Sequence, residues 1–258
     1  MPTLLQPLHA APAPAPLLST FESWTLHEYQ AVDSTNLIAA TLPAWTAVRA
    51  DTQSAGRGRF QRSWISDQGG LWLSAVVPSS PGKLARRALP LAAGLAICNA
   101  LQELGVQGFR LRWPNDVLVN DQKLAGLLID QFAPGLAVVG IGINVGNQPD
   151  VQDASLKNCS IRLADLLPTP PKLSVLTDLI LRRLRTVLLE LNQQSAPALF
   201  LRVNQLWGPP RTVELDLDGT LRRGLFTGVD SEGRLRLADL CGNLSFYDAH
   251  QVRHLTEI

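Results

Sequence analysis

The sequence predicts an α+β fold, in which a mixed β-sheet packs with helices and is followed by a small β-barrel. Two segments, 90–104 and 173–191, carry apolar residues at helical spacing. Several shorter segments between turn residues are apolar or alternate apolar with polar positions, which is typical of strands. After Gly208-Pro209-Pro210 the chain changes to short strand-like segments separated by turns, the pattern of a small barrel. We therefore expect one large domain over 21–208 and a second over 209–258.

Composition and charge are those of a compact globular protein. Of 258 residues, 46% are hydrophobic and 17% are charged, which suffices for one sizeable core and a small second domain. Lysine plus arginine number 23, against 22 for aspartate plus glutamate. No strong overall field therefore draws the protein to nucleic acid or to a membrane surface, and any anion site must be local.

The cysteines and the N-terminal segment favour a cytoplasmic protein. The three cysteines are far apart and form no Cys-x-x-Cys pair, which argues against a disulfide framework or a structural zinc: Cys98, Cys159 and Cys241. Prolines interrupt every early apolar run and no basic n-region is present, so we expect neither a signal peptide nor a membrane anchor. We assign residues 1–20 to a disordered Pro/Ala-rich tail.

The first elements after the tail flank a basic loop. Ser34 and Thr35 are N-cap candidates for a short helix over 37–40, which Pro43 would end. Two strands are predicted next, over 45–49 and 71–77. The residues between these strands follow neither a helical nor a strand period, so we expect them to form a loop that connects two sheet elements.

Two long helices are predicted. The first spans 90–104, with Pro90 suited to its first turn and Gly105 to its C-terminal stop. The second spans 173–191 and repeats aliphatic residues on one stripe: Leu176, Ile180, Leu184, Val187 and Leu191. Three arginines of this helix face elsewhere, and we interpret them as a solvated face rather than a binding patch: Arg182, Arg183 and Arg185.

The segment 109–113 is predicted to be a half-buried strand. Its apolar residues alternate with Arg110 and Arg112, and Pro114 would end it. Asn115-Asp116 then stand at a strand end or in a turn.

Apolar strands complete the predicted sheet. They cover 117–119, 124–130 and 136–145. Asn120-Asp121 would join the first two. In the last strand, Gly140 and Gly142 leave room for a flat group to lie against the sheet.

The loop at residues 55–64 carries three arginines and two glycines: Gly56, Arg57, Gly58, Arg59 and Arg62. Glycine lets the backbone approach a ligand closely, so amide N–H groups can point at phosphate oxygens while guanidinium groups supply positive charge. The pattern favours an anion-binding loop. A solvated, mobile basic loop is the alternative that Gly-Arg repeats alone leave open.

Four motifs follow one another along the chain: Gly-Arg-Gly-Arg at 56–59, Arg-Trp-Pro-Asn-Asp at 112–116, Lys-Leu-Ala-Gly at 123–126 and Gly-Ile-Gly-Ile-Asn-Val at 140–145. With Ser34-Thr35-Asn36 and Gln53, this set resembles the biotin protein ligase family over about residues 30–258. The resemblance implies a catalytic domain like that of class II aminoacyl-tRNA synthetases over 21–208 and an SH3-like barrel over 209–258. It also implies an ATP-dependent enzyme that converts biotin to biotinyl-5′-AMP, releases pyrophosphate, and transfers biotin to a lysine of a carrier protein.

The resemblance assigns residues to a biotin site. Hydroxyl and amide side chains near the first helix would pair with the ureido ring of biotin, and Trp64 would pack along its apolar chain. The expected set is Ser34, Thr35, Asn36, Gln53, Gly56, Arg57, Gly58, Arg59, Trp64, Lys123 and Gly126. From the residues alone, helix capping by Ser34 and Thr35 and a core position for Trp64 stay open.

A second set is expected to serve the nucleotide: Arg57, Arg59, Arg62, Asn115, Asp116, Lys123 and Asn144. The biotin carboxylate must attack the α-phosphate of ATP, so cations are needed where negative charge develops, and the expected catalytic residues are Lys123, Arg59 and Arg62. Asn115 and Asp116 are placed on the side of ATP and Mg²⁺, with turn chemistry after Pro114 as the alternative. A loop that orders over the adenylate would shield this labile anhydride from water.

Some features depart from the expected pattern or carry little signal. Asp130 stands where relatives often have Glu, and the stretch Lys157-Asn158-Cys159-Ser160 contains no aromatic residue to pack on adenine. Metal ligands are not identified. His250 and His254 lack an accompanying Glu-containing zinc motif, so we do not expect them to bind a metal.

The resemblance implies a biotin carboxyl carrier protein as partner and allows a homodimer through the central sheet. A transcriptional repressor would need about 60 further folded residues with a recognition helix; because about 20 Pro-rich residues precede the core, no DNA binding is expected. A ligase for lipoate or octanoate would carry a different Gly-rich signature. A scaffold with an inactive site is disfavoured by the presence of Lys123 and all three loop arginines.

Overall fold

The computed structural model describes residues 15–148 and 160–258, which form two β-sheets and five helices. The strands of the first sheet are β1 (Leu17–Phe21), β2 (Trp24–Val32), β3 (Thr46–Gln53), β4 (Leu71–Pro78), β5 (Phe109–Arg112), β6 (Asp116–Val119), β7 (Gln122–Ala133) and β8 (Leu136–Ile143). Their spatial order is β1-β2-β3-β4-β8-β7-β6-β5. β2 and β3 run parallel and the other neighbours run antiparallel, so the prediction of a mixed sheet is confirmed.

The N-terminal hairpin corrects the predicted tail. Residues 17–20 were assigned to the tail but belong to β1, which pairs with β2 from Leu17 to Phe21. A turn at residues 22–23, with Glu22 at φ 50°, joins the two strands. β2 was not predicted, although it buries Trp24 and Leu26 in the main core. Residues 1–14 lie outside the described residues.

The described residues form five α-helices: α1 (Thr35–Ala39), α2 (Lys83–Glu103), α3 (Leu163–Leu166), α4 (Leu173–Gln194) and α5 (Ala196–Asn204). The placement of Pro90 in the first turn of α2 was wrong, because the helix begins at Lys83 and contains Pro90. The segment before Pro90 is rich in good helix formers and buries Ala88 and Leu89, so it extends the helix backwards. Gly105, at φ 77°, follows the end of the helix as expected.

Helix α2 is the central core helix. An 18-residue stretch of this helix is apolar enough to cross a membrane, but 67% of that stretch is buried inside the protein. A buried helix of this kind is apolar on most sides because it packs on the sheet, α4 and α5.

Helix α4 buries the predicted stripe, with Leu176, Ile180, Leu184 and Val187 all nearly inaccessible. Its arginines form contacts with other elements rather than a purely solvated face. Arg182 pairs with Glu22 at 3.4 Å, Arg183 with Glu103, and the Arg185 guanidinium lies 4.4 Å from the centre of the Trp45 ring. None of these three arginines lines the pocket described below.

The prediction that β5 is half-buried was wrong. Arg110 and Arg112 are 8% and 4% exposed. The carboxylate of Glu257 pairs with Arg110, and the backbone of residue 206 bonds to Leu111. Burial of both arginines is tolerated because a segment distant in sequence supplies carboxylate and carbonyl acceptors.

The hairpin of β6 and β7 confirms the predicted turn. Asn120 and Asp121 both adopt left-handed conformations, at φ 50° and 61°, as a two-residue hairpin turn requires. β7 continues beside β8, with Gly126 directly opposite Gly142.

The chain after Gly208 forms a five-stranded antiparallel sheet. Its strands are β9 (Arg211–Leu217), β10 (Thr220–Val229), β11 (Leu235–Ala238), β12 (Leu244–Tyr247) and β13 (His254–Glu257), in the spatial order β12-β11-β10-β9-β13. The short strands agree with the predicted pattern of short segments separated by turns, and one of these turns is Asp218-Gly219, at φ 57° and 89°. Trp207 packs edge-to-face on Phe226 at 5.5 Å, and the main core continues into this sheet.

Candidate active site

A pocket of about 640 Å³ lies between the first sheet, the loop at 55–64 and the end of the C-terminal sheet. All but one of the predicted site residues line it: Ser34, Thr35, Asn36, Gln53, Arg57, Gly58, Arg59, Arg62, Trp64, Asn115, Asp116, Lys123, Gly126 and Asn144. Gly56 does not line the pocket. A Cβ atom there would lie 2.3 Å from the Trp64 carbonyl oxygen, so Gly56 is needed for the two arms of the loop to approach each other.

Thr35, Asn36 and Gln53 line one side of the pocket, and the buried Ser74 bonds to the first two without lining the pocket itself; we call these four residues the polar wall. The Gln53 side-chain oxygen accepts from the Thr35 amide at 2.8 Å and from its hydroxyl at 3.0 Å. The Ser74 hydroxyl lies 2.7 Å from Thr35 Oγ1 and 2.6 Å from Asn36 Oδ1. Thr35, Asn36 and Ser74 are buried, so these bonds orient the side chains strongly.

Ser34 stands at the N-cap of α1, but its side chain makes no capping hydrogen bond. Capping by Ser34 is therefore contradicted. Thr35 is the first residue of the helix and directs its hydroxyl to Gln53. Both side chains are buried and line the pocket, which leaves their predicted contact with biotin open.

The indole of Trp64 lies on the floor of the pocket. A Cβ atom at Gly126 or Gly142 would come within 2.7 Å of this ring, so the paired glycines of β7 and β8 make room for it. Gly140 likewise leaves space for the side chain of Asn36, because a Cβ atom at Gly140 would lie 2.4 Å from Asn36 Oδ1. The flat group predicted to lie on these glycines is thus a side chain of the protein itself.

The arginine loop, residues 55–64, folds as a tight hairpin over the pocket. The Gly58 amide bonds to the Arg62 carbonyl at 2.7 Å, and the Trp64 amide bonds to the Gly56 carbonyl at 2.9 Å. Its tip is a single 3-10 turn over Arg59–Gln61, a local structure that the sequence did not predict. Phe60 and Gln61 are left-handed, at φ 54° and 60°, which is unfavourable for residues with a Cβ atom.

The loop arginines bond mainly to protein groups. Arg57 pairs with Asp130 at 2.7 Å. Arg59 donates to the carbonyls of Ala249 and Val252, and Arg62 donates to the carbonyl of Arg253 at 3.1 Å. Burial lowers the pKa of Arg59 to about 10, although the charge of Asp116 opposes this shift. The guanidinium therefore remains charged at neutral pH.

Lys123 lies between an anion and an aromatic ring. Its Nζ is 3.0 Å from Asp116 Oδ1 and 5.1 Å from the centre of the Trp64 ring. Arg112 Nη1 lies 3.5 Å from the other oxygen of Asp116. Asp116 thus balances the charge of two cations beside the pocket.

Two of the predicted nucleotide ligands are engaged by the backbone. Asn115 Nδ2 donates to the Leu127 carbonyl at 2.7 Å. Asn144 Nδ2 donates to the Lys123 carbonyl at 3.3 Å, and its Oδ1 accepts from Asn147. These bonds hold the strand ends around Lys123, so structural roles are evident for both residues, while nucleotide contact stays a prediction.

Sequence reasoning missed several residues in and next to the pocket. Ser74, which bonds to the pocket residues Thr35 and Asn36, carried a detectable signal, since it is the lone polar residue within the apolar segment 71–77. Residues 252–255 of the C-terminal segment also line the pocket, and no local pattern marked them. Ser160 lines the pocket as well, whereas residues 157–159 of the stretch considered for adenine lie outside the described residues.

The described residues contain no group of three or more His, Cys, Asp or Glu that could hold a metal ion. His250 lies in a 3-10 turn over Ala249–Gln251 and His254 begins β13. Asp116 is the carboxylate nearest to Lys123 in the pocket, and Lys123 and Arg112 already contact it.

Comparison with known proteins decides the family. A family model for the biotin/lipoate A/B protein ligase family matches residues 26–146. The biotin–[acetyl-CoA-carboxylase] ligase of Mycobacterium tuberculosis is 32% identical over 214 residues, which cover 80% of this chain and 77% of that protein. The chain belongs to the biotin protein ligase family.

Other similarities define the extent of this relationship. A bifunctional ligase/repressor of Bacillus subtilis is 36% identical over 128 residues, which make up 47% of this chain and 39% of the relative. The chain thus spans well under half of the length of that relative. The solved biotin protein ligase of Aquifex aeolicus in complex with biotin and ATP superimposes with a TM-score of 0.77 at 25% identity, covering 90% of this chain and 99% of that one. The overall fold is therefore that of a biotin ligase.

Proposed function

We propose that this protein is an ATP-dependent biotin protein ligase. In the first step a biotin carboxylate oxygen attacks the α-phosphorus of ATP, forming biotinyl-5′-AMP and releasing pyrophosphate. In the second, the ε-amine of an acceptor lysine attacks the acyl carbon and AMP leaves. The observation that carries the proposal is one pocket that joins a buried polar wall to four cationic side chains: Arg57, Arg59, Arg62 and Lys123.

The polar wall suits the ureido ring of biotin. That ring presents N–H donors and a carbonyl acceptor, and the wall offers amide and hydroxyl groups in a sheltered position. The apolar chain of biotin would then run along Trp64 towards Lys123, which lies 5.1 Å from the ring centre. This direction places the biotin carboxylate at the cationic end of the pocket.

The cationic end suits the phosphates of ATP. Negative charge develops on the α-phosphoryl oxygens during the attack, and preorganised cations stabilise it. We assign Lys123, Arg59 and Arg62 to this role, and Arg57 to both substrates. Asp116 holds Lys123 at 3.0 Å. Mg²⁺ would arrive with ATP, since the phosphates supply oxygen ligands that the described residues do not gather.

The proposal extends to the partner and the second domain. A biotin carboxyl carrier protein of acetyl-CoA carboxylase or a related carboxylase would present the lysine at the mouth of the pocket. We assign an SH3-like barrel to residues 209–258, supported by five short antiparallel strands, and a cytoplasmic location. Two copies of the chain could pair through the first sheet. Sequence-specific DNA binding is not part of the proposed function.

The decisive experiment measures biotin-dependent exchange of pyrophosphate into ATP, which isolates the first step from the acceptor. We expect exchange with biotin and none with lipoate. Lys123→Ala should lower the exchange rate by about 10²- to 10³-fold, the scale for loss of one preorganised electrostatic donor. Lys172→Ala removes an exposed lysine at the start of α4 and should leave exchange unchanged.

Exchange that depends on lipoate instead of biotin would show a different acyl substrate in the same pocket. Near-normal exchange by Lys123→Ala would contradict the role of this lysine. A scaffold without activity would show no exchange with either acid.

A further inference from the structure

Asp130 connects the arginine loop to the polar wall through a single oxygen atom. Its Oδ2 lies 2.7 Å from Arg57 Nη2 and accepts a hydrogen bond from Asn36 Nδ2 at 3.0 Å. Asn36 is 4% exposed, whereas the Arg57 side chain is 38% exposed. The carboxylate therefore joins a fixed, buried residue to one on an exposed loop.

We propose that Asp130 is a positioning residue that holds the arginine loop over the pocket through Arg57 while it orients the amide of Asn36. The proposal rests on the proposed function and deepens it, because it names a group that controls closure of the same site. Asp130 acts through these two residues and need not contact a substrate.

Asn36 is suited to transmit this coupling because its amide has little freedom. Its Oδ1 lies 2.6 Å from the Ser74 hydroxyl, and its Nδ2 donates to Asp130. Gly140 provides the space for its close approach to β8. A change in the position of Asp130 therefore alters the orientation of the Asn36 amide in the polar wall.

The position of Asp130 in the sheet also favours this role. It lies on β7, the strand that carries Lys123 and Gly126, and the regular pairing of β7 with β8 is interrupted just after it. Its side chain is 21% exposed, so solvent and salt screen its pair with Arg57 less than a fully exposed pair. Arg57 is the first arginine of the loop, so loss of this pair leaves the hairpin held over the pocket mainly by the bonds of Arg59 and Arg62 to backbone carbonyls and by its own backbone bonds.

Limited digestion of the ligand-free protein with trypsin tests the contact itself. Cleavage after Arg57, Arg59 and Arg62 should accelerate about three- to tenfold in Asp130→Asn, as expected for loss of one partly exposed ion pair. Asp130→Glu keeps the charge and should restore part of the protection. Glu103→Gln is the control, because it removes a carboxylate that pairs with Arg183 away from the pocket. In this variant the arginine loop should be cut at the parental rate. Equal loop cleavage in Asp130→Asn and the parent would overturn the proposal.

The second measurement follows biotinyl-5′-AMP on the enzyme. In Asp130→Asn we expect the bound adenylate to be released about three- to tenfold faster, with kcat of pyrophosphate exchange nearly unchanged. A purely structural role would instead lower the melting temperature and the amount of active protein and leave the release rate per active site as in the parent, which would also overturn the proposal. If the parent shows no biotin-dependent exchange, the proposed function fails, but the ligand-free digestion still decides whether Asp130 holds the loop.

Discussion

The polar wall and the arginine loop border the same pocket but are built in different ways. In the wall, buried hydroxyl and amide groups bond to one another at 2.6–3.0 Å. In the loop, the arginines are attached to distant groups: Arg57 to a carboxylate on β7, and Arg59 and Arg62 to backbone carbonyls near β13. The wall is thus held mainly by bonds among its own members, with Asp130 and Ser66 accepting from its two amides, whereas the side chains of the loop arginines hydrogen-bond to groups outside the loop.

This difference separates recognition from closure. A buried network with every member bonded cannot rearrange without leaving polar groups unsatisfied, so the wall is preorganised. The loop contains two left-handed residues, Phe60 and Gln61, each at a cost of about 1 kcal/mol. It can leave its position when its few contacts are lost. We therefore expect wall variants to change biotin affinity and loop variants to change retention of the adenylate.

The largest expected effect in this comparison comes from Ser74→Ala. The substitution removes the hydroxyl near Thr35 and Asn36, and leaves the buried Asn36 oxygen without its donor. We expect a loss of about 1–3 kcal/mol in both the free energy of unfolding and biotin binding, or roughly 5- to 150-fold in the dissociation constant. Calorimetric titration with biotin and denaturant unfolding measure the two quantities.

Thr177→Ala is the matched control for this variant. Thr177 is also fully buried, and its hydroxyl bonds to the Leu173 carbonyl within α4, away from the pocket. It should lower stability while the affinity for biotin stays at the parental value. Unchanged biotin affinity in Ser74→Ala would show that the wall does not depend on this hydroxyl.

Arg59→Ala is expected to have an intermediate effect on the loop side. The variant loses two hydrogen bonds to the carbonyls of Ala249 and Val252, so the loop should open more often. We expect the half-life of bound biotinyl-5′-AMP to fall by about tenfold. Hydrogen bonds from a charged donor contribute about 1.5–3 kcal/mol, and hydrogen bonds from water to the freed carbonyls recover part of this free energy. The affinity for biotin should change less than in Ser74→Ala.

Release of the labelled adenylate in a filter assay provides the measurement. Arg222→Ala, on an exposed part of β10, serves as the control and should retain the parental half-life. An Arg59→Ala enzyme that keeps its adenylate as long as the parent would refute the closure role of this loop.

The smallest expected effect concerns the C-terminal segment against which the loop rests, and it appears only in acid. Burial raises the pKa of Glu257, but the hydrogen bond and charge of Arg110, with Arg211 and Arg112, more than offset this, and the pKa lies below 4.5. A depressed carboxyl pKa stabilises the fold above about pH 4.5, and this contribution is lost as pH falls through the folded pKa. The expected loss is on the order of 1.4 kcal/mol per unit of pKa difference.

Thermal unfolding between pH 3 and pH 6 tests this expectation. Glu257→Gln should show a weaker dependence on pH than the parent, because it has no carboxyl to protonate at this position. Glu214→Gln removes a more exposed partner of Arg223 and should keep the parental dependence. Parallel profiles for Glu257→Gln and the parent would contradict the assigned role of Glu257.

Local patterns predicted most elements of the fold. The strand over 71–77, the two-residue turn at Asn120-Asp121 and the buried stripe of α4 depend on neighbouring residues and were recovered. The start of α2 was missed, because Pro90 is a common first-turn residue that a packed core also tolerates within a helix. β2 was missed although its residues pair in register with β3.

The sequence predicted which residues line the pocket, but it did not predict the groups to which those residues bond. Fourteen of the predicted residues line it, since the motifs mark positions that the fold brings together. The partners of those residues were not predictable: Asp130 lies 73 positions from Arg57, and Ala249 lies 190 positions from Arg59. No local period encodes contacts of that separation.

By itself, the sequence determined three of the five helices and most strands of the first sheet, the basic character of the loop at 55–64, and the motif residues that resemble biotin ligases. These properties follow from side-chain chemistry and from spacing along a short stretch of chain. Only the tertiary structure decided that Ser74 completes the polar wall, that Glu257 covers the arginines of β5, and that the loop rests on the C-terminal segment. The physical reason is that hydrogen bonds and ion pairs depend on distance in space, which is set when the two sheets pack around α2 and α5.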